Sequence, residues 1–368
     1  MLVGMIIGVG VFGVPYAIAK AGWVAGIFYF VLVSAILMLT HLFYGEVVLR
    51  TSGSHRFAGF SEKYLGKYGK AAGTAVTVLS FYGAILAYII VGGKFVHIIF
   101  NPFFGGGEFV YQVIFFSAMS IIVLIGLKFV AGVETVMSVL ICLMIVLIPL
   151  LAFKFFNINN FITFDRSYAF LPYGVLLFAL GGSSAIPEIR EIIKEDGRQI
   201  KKIIFWGSAI PFLLTAFFAF VIAGVCGQGT TEETIGGLKN ILGNWIIYPG
   251  AVFGILAIAT SFLVLGLNLK EMFTLDLKIN KYFSWFLAVF IPFFIFLIGS
   301  PSFIKVIDIT GSLFGGFLGV FIVLMFLRAK KLGDRSPEFS LNVPKIISYS
   351  VAAIYCLGIF YECWFLLR

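Results

Sequence analysis

The chain has 368 residues, of which 61% are hydrophobic and only 12% charged. A soluble domain carries about 25% charged residues, so the composition excludes a water-soluble globular protein and reads as a polytopic helical membrane protein. The net charge of +9 then reports how loops are distributed across a bilayer and gives no reason to expect a nucleic-acid partner. Cys142, Cys226, Cys356 and Cys363 lie in or at the ends of apolar runs, without metal or disulfide spacing, and read as buried thiols.

Eleven spans follow from the apolar runs: 1–20, 22–49, 71–99, 110–127, 133–153, 168–193, 202–226, 246–272, 282–299, 303–327 and 345–367. Each is near or above the ~20 residues needed to cross the hydrocarbon core. No cleavable leader is visible, and Met1 already lies inside the first apolar run, so either the first half-helix is short or the chain starts upstream.

The first span, GMIIGVGVFGVP from Gly4 to Pro15, breaks its own helix with Gly8, Gly10 and Gly13, and Pro15 is expected to end the run. Unwound backbone at membrane depth persists only where protein, water or a ligand satisfies it. Freed N–H groups at the start of the second half-helix suit a carboxylate, and freed carbonyls suit a small cation. The expectation is an amino acid and an ion at this break. The competing reading is glycines that let helices pack closely. The glycines also spell GxGxxG, but only seven residues precede them and the next acidic residue is Glu46, so a dinucleotide site is not expected.

Glu46, near the inner end of the second span, is either functional or paired with Arg50 one turn on. The basic, aromatic loop 50–70 reads as an amphipathic segment on the inner membrane face. Tyr82 on the third span reads as packing with a satisfied hydroxyl. His41, His55 and His97 are isolated and receive no role, because no carboxylate partner for a proton relay is apparent in the sequence.

The sixth span, LPYGVLLFALGGSSAIPEIREIIK, is broken at Gly181, Gly182, Ser183 and Ser184, with Pro187 following. Two interrupted spans five apart point to an inverted-repeat transporter with its site between the breaks. The first repeat is then 1–153, the second 168–328, and 345–367 is an additional helix. Loop 227–245 is expected outside, with a short helix serving as a lid. On the eighth span Ala257, Thr260 and Ser261 share one face. Their hydroxyls either bond back to their own helix or offer hard oxygens to an ion opposite the first break. Placing the N-terminus inside puts Arg50, Arg56, Lys63, Lys67, Lys70, Lys128, Arg190, Lys194, Arg198, Lys201, Lys202, Lys270, Lys278, Lys281, Arg328, Lys330, Lys331, Arg335 and Lys345 in inner loops, out of 26 Lys and Arg. That asymmetry orients the protein N-inside and C-outside in the cell membrane.

GMIIGVGVFGVPYAIAKAG, LLFALGGSSAIPEI, ATSFLVLGL and IDITGSLFGGFL together resemble the first, sixth, eighth and tenth helices of the amino acid/auxin permease family. The likeness is to its bacterial aromatic amino acid (tryptophan/tyrosine) branch, within the amino acid–polyamine–organocation superfamily. The resemblance implies an all-α five-plus-five inverted-repeat fold with broken helices one and six. It implies symport of a neutral, hydrophobic or aromatic amino acid coupled to sodium or protons. It implies a sodium site made by Gly4, Ile7, Ala257, Thr260 and Ser261, the substrate carboxylate at Gly8, Val9 and Gly10, and Tyr88 as the third-helix contact. Substrate side chains would meet Phe178, Ala179, Gly181, Gly182, Ser183 and Ser184. The expected partners are the amino acid and the lipid bilayer. No cofactor is expected beyond Na+ as coupling ion. The sequence has no HExxH, no nucleophile elbow and no evident carboxylate pair at depth, so an enzyme is not expected; a non-transporting amino acid sensor on the same fold is the alternative. Gly10→Ala is expected to weaken ligand binding with stability near normal.

Overall fold

The computed structural model describes residues 1–161, 164–193, 199–299 and 302–367, and the side chains of 127–135 and 161 are not described. Of the basic residues placed in inner loops, Lys194 and Arg198 therefore lie outside the described residues, and the Lys128 side chain is among those not described. The first span is two helices, α1 (Leu2–Ile6) and α2 (Gly10–Ala21), separated by Ile7, Gly8 and Val9. Pro15 does not end the run. It sits inside α2, which stops only where Gly22 turns with φ 80. A proline removes one rung of the hydrogen-bond ladder, whereas a backbone turned to positive φ leaves the helix altogether.

The chain continues through α3 (Trp23–Leu49), α4 (Phe57–Phe104), α5 (Glu108–Ile125) and α6 (Leu127–Ala152). The second break follows, between α7 (Leu171–Ala179) and α8 (Ile186–Ile193), with a single 3₁₀ turn at Ser183–Ala185. Then come α9 (Ile200–Cys226), α10 (Ile235–Leu242), α11 (Ile247–Glu271) and α12 (Lys281–Ile298). α13 (Phe303–Ile309) passes through a π-helical stretch at Thr310–Gly315 into α14 (Gly316–Leu332), and α15 (Lys345–Leu366) closes the chain.

Ten of the described segments are helical, long and apolar enough to cross a membrane. The first of the eleven predicted spans is absent from that number because its pieces have 5 and 12 residues. Outward-facing residues such as Phe28, Leu213, Leu357 and Phe360 are exposed and apolar, the arrangement a bilayer solvates. Two of the cysteines read as buried follow that pattern: Cys356 and Cys363 are exposed, whereas Cys226 is buried, and all four are free thiols.

The inner loop differs from its expectation. Helix α4 starts at Phe57 and bends at Gly66, whose φ is 78. The segment before the bend buries Phe57, Phe60 and Tyr64 inside the protein. Phe57 and Phe60 meet Tyr44, and the Tyr64 hydroxyl pairs with Thr51 at 2.7 Å. Protein partners take the aromatic face that an isolated segment would have given to lipid. Glu46 follows the paired reading and adds to it. It is wholly buried, holds Arg50 at 2.8 Å, and accepts from the Leu341 N–H at 2.6 Å. One carboxylate thus ties α3 to the loop before α15.

Candidate substrate and ion site

The two breaks face each other. Between them lies a cavity of about 100 Å³ lined by Gly8, Val9, Gly10, Tyr88, Phe178, Ala179, Gly181, Gly182, Ser183 and Ser184. Every residue predicted for the substrate site is therefore on this one wall. Thr40, His41, Ser80 and Phe81 complete the lining, together with Thr310, Gly311 and Gly315 of the π stretch. A π stretch leaves the regular backbone ladder, and such stretches concentrate at functional sites. No Lys, Arg, Asp or Glu is among the described lining residues.

At the first break the Gly8 N–H is taken by the Ile6 carbonyl at 2.9 Å, and the Val11 and Phe12 N–H groups turn back to Gly8 and Val9. Among the described residues, Val9 and Gly10 are then the amides at the start of α2 with no hydrogen bond. The expected contribution of the Gly8 amide is overturned, because its donor is already used inside the turn. Gly10 also makes a close helix contact. A Cβ there would stand 2.5 Å from the Ala179 Cα and 3.0 Å from Phe178 Cδ1. The packing reading of this glycine is therefore correct for the side it turns to α7. Its amide remains the part available to a ligand.

At the second break two side chains replace lost helix partners. His41 Nε2 accepts the Gly182 N–H at 3.2 Å. Asn268 of α11 donates to the Ser184 carbonyl at 2.9 Å and to Glu188 Oε1 at 2.6 Å. The sequence reading gave His41 no role and did not name Asn268, although a lone polar side chain in an apolar span is itself a functional signal.

The ion-site candidates also converge. Thr260 Oγ1 donates to the Gly4 carbonyl at 3.3 Å and to Ala257 at 2.9 Å. Ser261 Oγ donates to Gly4 at 3.3 Å and Met5 at 3.4 Å. Ile7 is buried at the break itself, and a Cβ on the neighbouring Gly8 would lie 2.5 Å from Ser261 Oγ. The helix-back-bonding reading holds for Thr260, and the same hydroxyl also reaches the Gly4 carbonyl of α1. The group consists of neutral hard oxygens with no carboxylate, which fits a monovalent cation better than a divalent one. The Tyr88 hydroxyl faces the same Ser261, 3.7 Å from where a Gly8 Cβ would stand, so one tyrosine borders both places. Tyr82 instead donates to Leu287 at 2.8 Å, as a packing tyrosine should.

Both ends of the site are covered. On the predicted outer side, α10 supplies the expected short helix of loop 227–245. The Thr234 hydroxyl reaches the Phe12 carbonyl at 2.5 Å, Glu232 accepts from the Ile304 N–H at 3.1 Å, and Glu233 pairs with Lys94 at 2.9 Å. On the other side Arg56, 3% exposed, clamps Glu191 of α8 at 2.8 Å and Glu271 of α11 at 2.5 Å. Burial works against its charge, but the bonds to Glu191 and the charge of Glu271 more than offset it and raise its titration. Away from the site, Asp308 and Glu362 line one further cavity of about 240 Å³. Carboxylates at depth are thus brought together by α13 and α15, which no local sequence pattern announces.

The chain matches the tryptophan/tyrosine permease family over residues 1–362. It is 24% identical over 359 residues to the "Tyrosine-specific transport system 1" of Haemophilus influenzae, covering 92% of this chain and 88% of that protein. Its fold is that of MhsT, solved in complex with L-phenylalanine, with a TM-score of 0.68 at 16% identity over 98% of this chain and 96% of the other. An all-helical, multi-pass membrane fold, with a neutral cavity between two broken helices, is therefore that of a permease and not an enzyme: this chain belongs to the tryptophan/tyrosine permease family.

Proposed function

We propose that this protein carries aromatic amino acids across the membrane as zwitterions, driven by sodium bound beside the substrate, with protons as the alternative driver. The observation that carries the reading is the uncharged cavity between the breaks. A zwitterion needs no opposite charge there. Its carboxylate meets the Val9 and Gly10 amides at the positive end of α2, and its ammonium meets carbonyls at the ends of α1 and α7. A cationic or anionic side chain would remain unpaired and costly at this depth. Phe81, Leu177, Phe178, Leu265 and Leu318 supply apolar lining, and the glycines of the second break and the π stretch leave room for a ring. The name of the Haemophilus influenzae relative supports tyrosine as a substrate. Sodium would take Gly4, Ile7, Ala257, Thr260 and Ser261. The matched breaks support an inverted repeat, with halves 1–153 and 168–328 and an additional helix 345–367.

The test is counterflow uptake of labelled L-tyrosine, L-tryptophan and L-phenylalanine into proteoliposomes, with sodium replaced by choline in one arm and a pH gradient in another. Counterflow of at least one aromatic amino acid is expected, with none for lysine or glutamate. Binding without counterflow would make the protein a sensor, and no binding of any aromatic amino acid removes the reading.

The proposed orientation is N-inside and C-outside, supported by the Lys and Arg asymmetry. Cysteines introduced at Gln228 and Ser336 should react with a membrane-impermeant reagent from opposite sides, Gln228 from outside. Reaction of both from one side would overturn the orientation and the repeat with it.

A further inference from the structure

His41 is wholly buried in α3 and touches α9 and the second break. Its Nδ1 lies 2.9 Å from Ser208 Oγ on α9, and its Nε2 lies 3.2 Å from the Gly182 N–H at the second break. The Phe212 ring of α9 stands 6.1 Å from the imidazole. A backbone amide only donates, so Nε2 must present its lone pair and the ring proton must sit on Nδ1, donated to Ser208. This hydrogen bond is what replaces the helix partner that Gly182 has lost.

Of the elements packed on α3, α8 carries Glu188, Arg190 and Glu191; Glu188 is buried and accepts from Asn268, and none of the three lines the cavity that His41 borders. The other titratable groups are hydroxyls: Tyr355 of α15, bonded to the adjacent Thr40 at 2.9 Å, and Tyr88 of α4 on the same cavity. Among the described residues, α2, α7, α9, α11 and α14 present no Lys, Arg, Asp or Glu to this cavity.

We propose that His41 is a proton-operated latch on the unwound segment between α7 and α8. Neutral, it accepts from Gly182 and holds the break in the form that lines the cavity. Protonated, both ring nitrogens donate. The Gly182 N–H then faces another N–H, and the break must move. A proton on His41 and a substrate on the backbone of Gly181–Ser184 therefore exclude one another, and linkage requires each to weaken the other's binding by the same factor. The sign follows directly: acid weakens substrate binding, and alkaline pH restores it. The sodium site on the α1 and α11 side acts separately. The substrate part of this inference rests on the proposed function; the hydrogen bond between His41 and Gly182 does not.

The test uses the full-length protein in nanodiscs containing sodium buffer. L-tyrosine affinity is measured at pH 7.5 and 5.5, alongside hydrogen exchange of the 177–186 segment corrected for its intrinsic pH dependence. Mutual exclusion of proton and substrate predicts an affinity lower by about fivefold or more at pH 5.5 than at pH 7.5. Protection of the segment should fall in parallel. In His41→Gln the amide oxygen can stand where Nε2 accepts, and nothing titrates. This variant should lose both pH responses, its affinity at pH 5.5 being compared with its own affinity at pH 7.5. His41→Gln retaining the parent's pH responses would overturn the latch. So would a parent whose segment exchange ignores pH. If the variant does not fold, nitrogen NMR of the parent's histidine rings still decides: His41 must carry its proton on Nδ1 at pH 7.5, and an Nε2–H tautomer overturns the latch. If tyrosine does not bind while the exchange response is present in the parent and absent in His41→Gln, the latch stands and the substrate reading fails.

Discussion

In the double variant Thr260→Val/Ser261→Ala, the sodium dependence of amino acid affinity is expected to disappear. Both hydroxyls point from α11 onto the Gly4 and Met5 carbonyls of α1. A sodium ion there would use the hydroxyl oxygens as ligands while the protons turn elsewhere. Without them only carbonyls remain, and these cannot close a coordination shell alone. α1 leads directly to the Gly8 break, so the ion and the amino acid would be joined through one short segment. Coupling of this kind typically amounts to about 5–150-fold in affinity, and that whole factor should be lost. Each neutral hydrogen bond removed also costs about 1 kcal/mol, so a control is needed. Thr77→Val removes a buried hydroxyl that bonds its own helix at Gly73, at 2.8 Å, away from α1. It should keep the sodium dependence. The measurement is L-tyrosine affinity against a sodium titration with choline as replacement. A parent insensitive to sodium but responsive to pH would return these hydroxyls to a structural tie between α1 and α11.

Gly10→Ala is expected to destabilise the protein as well as weaken ligand binding. The added methyl would stand 2.5 Å from a backbone atom of Ala179, a part of the chain that no rotamer change can move aside. Helices α2 and α7 would have to separate, and both line the cavity. Overpacking of this kind costs about 1–3 kcal/mol, sometimes more. It should appear as a lower melting temperature in detergent. Gly315→Ala is the contrast. It lies on the same cavity, but its Cβ would meet only the Thr310 carbonyl, at 3.6 Å, an ordinary contact. It should melt near the parent. If Gly10→Ala melts like the parent while affinity falls, the ligand and not Ala179 occupies that space.

The spans, both breaks and the hydroxyl face of α11 were legible because each depends on neighbours along the chain. An apolar run long enough to cross, a Gly-rich interruption at membrane depth and an i, i+3, i+4 face are local facts. The resemblance then assigned roles to positions that pattern alone left open, such as Tyr88 and Ile7. The end of α2 at Ala21 lies one residue beyond the predicted span 1–20, and Pro15 does not interrupt the helix. The loop at 50–70 was misjudged because an amphipathic face looks the same whether lipid or protein covers it. The Gly8 amide was misjudged because the turn consumes it.

What the sequence determined by itself was the membrane class, the succession of spans and the places where helices must break. Those follow from the cost of exposing polar backbone to hydrocarbon, which acts at each position separately. What only the tertiary structure decided was which groups satisfy the broken backbone and close the site. His41 reaches Gly182 across 141 positions, Asn268 reaches Ser184 across 84, and Arg56 reaches Glu271 across 215. None of the three lies in a periodic pattern that announces its partner. Each partner is fixed by the packing of distant helices, because a buried polar group must find a hydrogen bond wherever the fold brings one within reach.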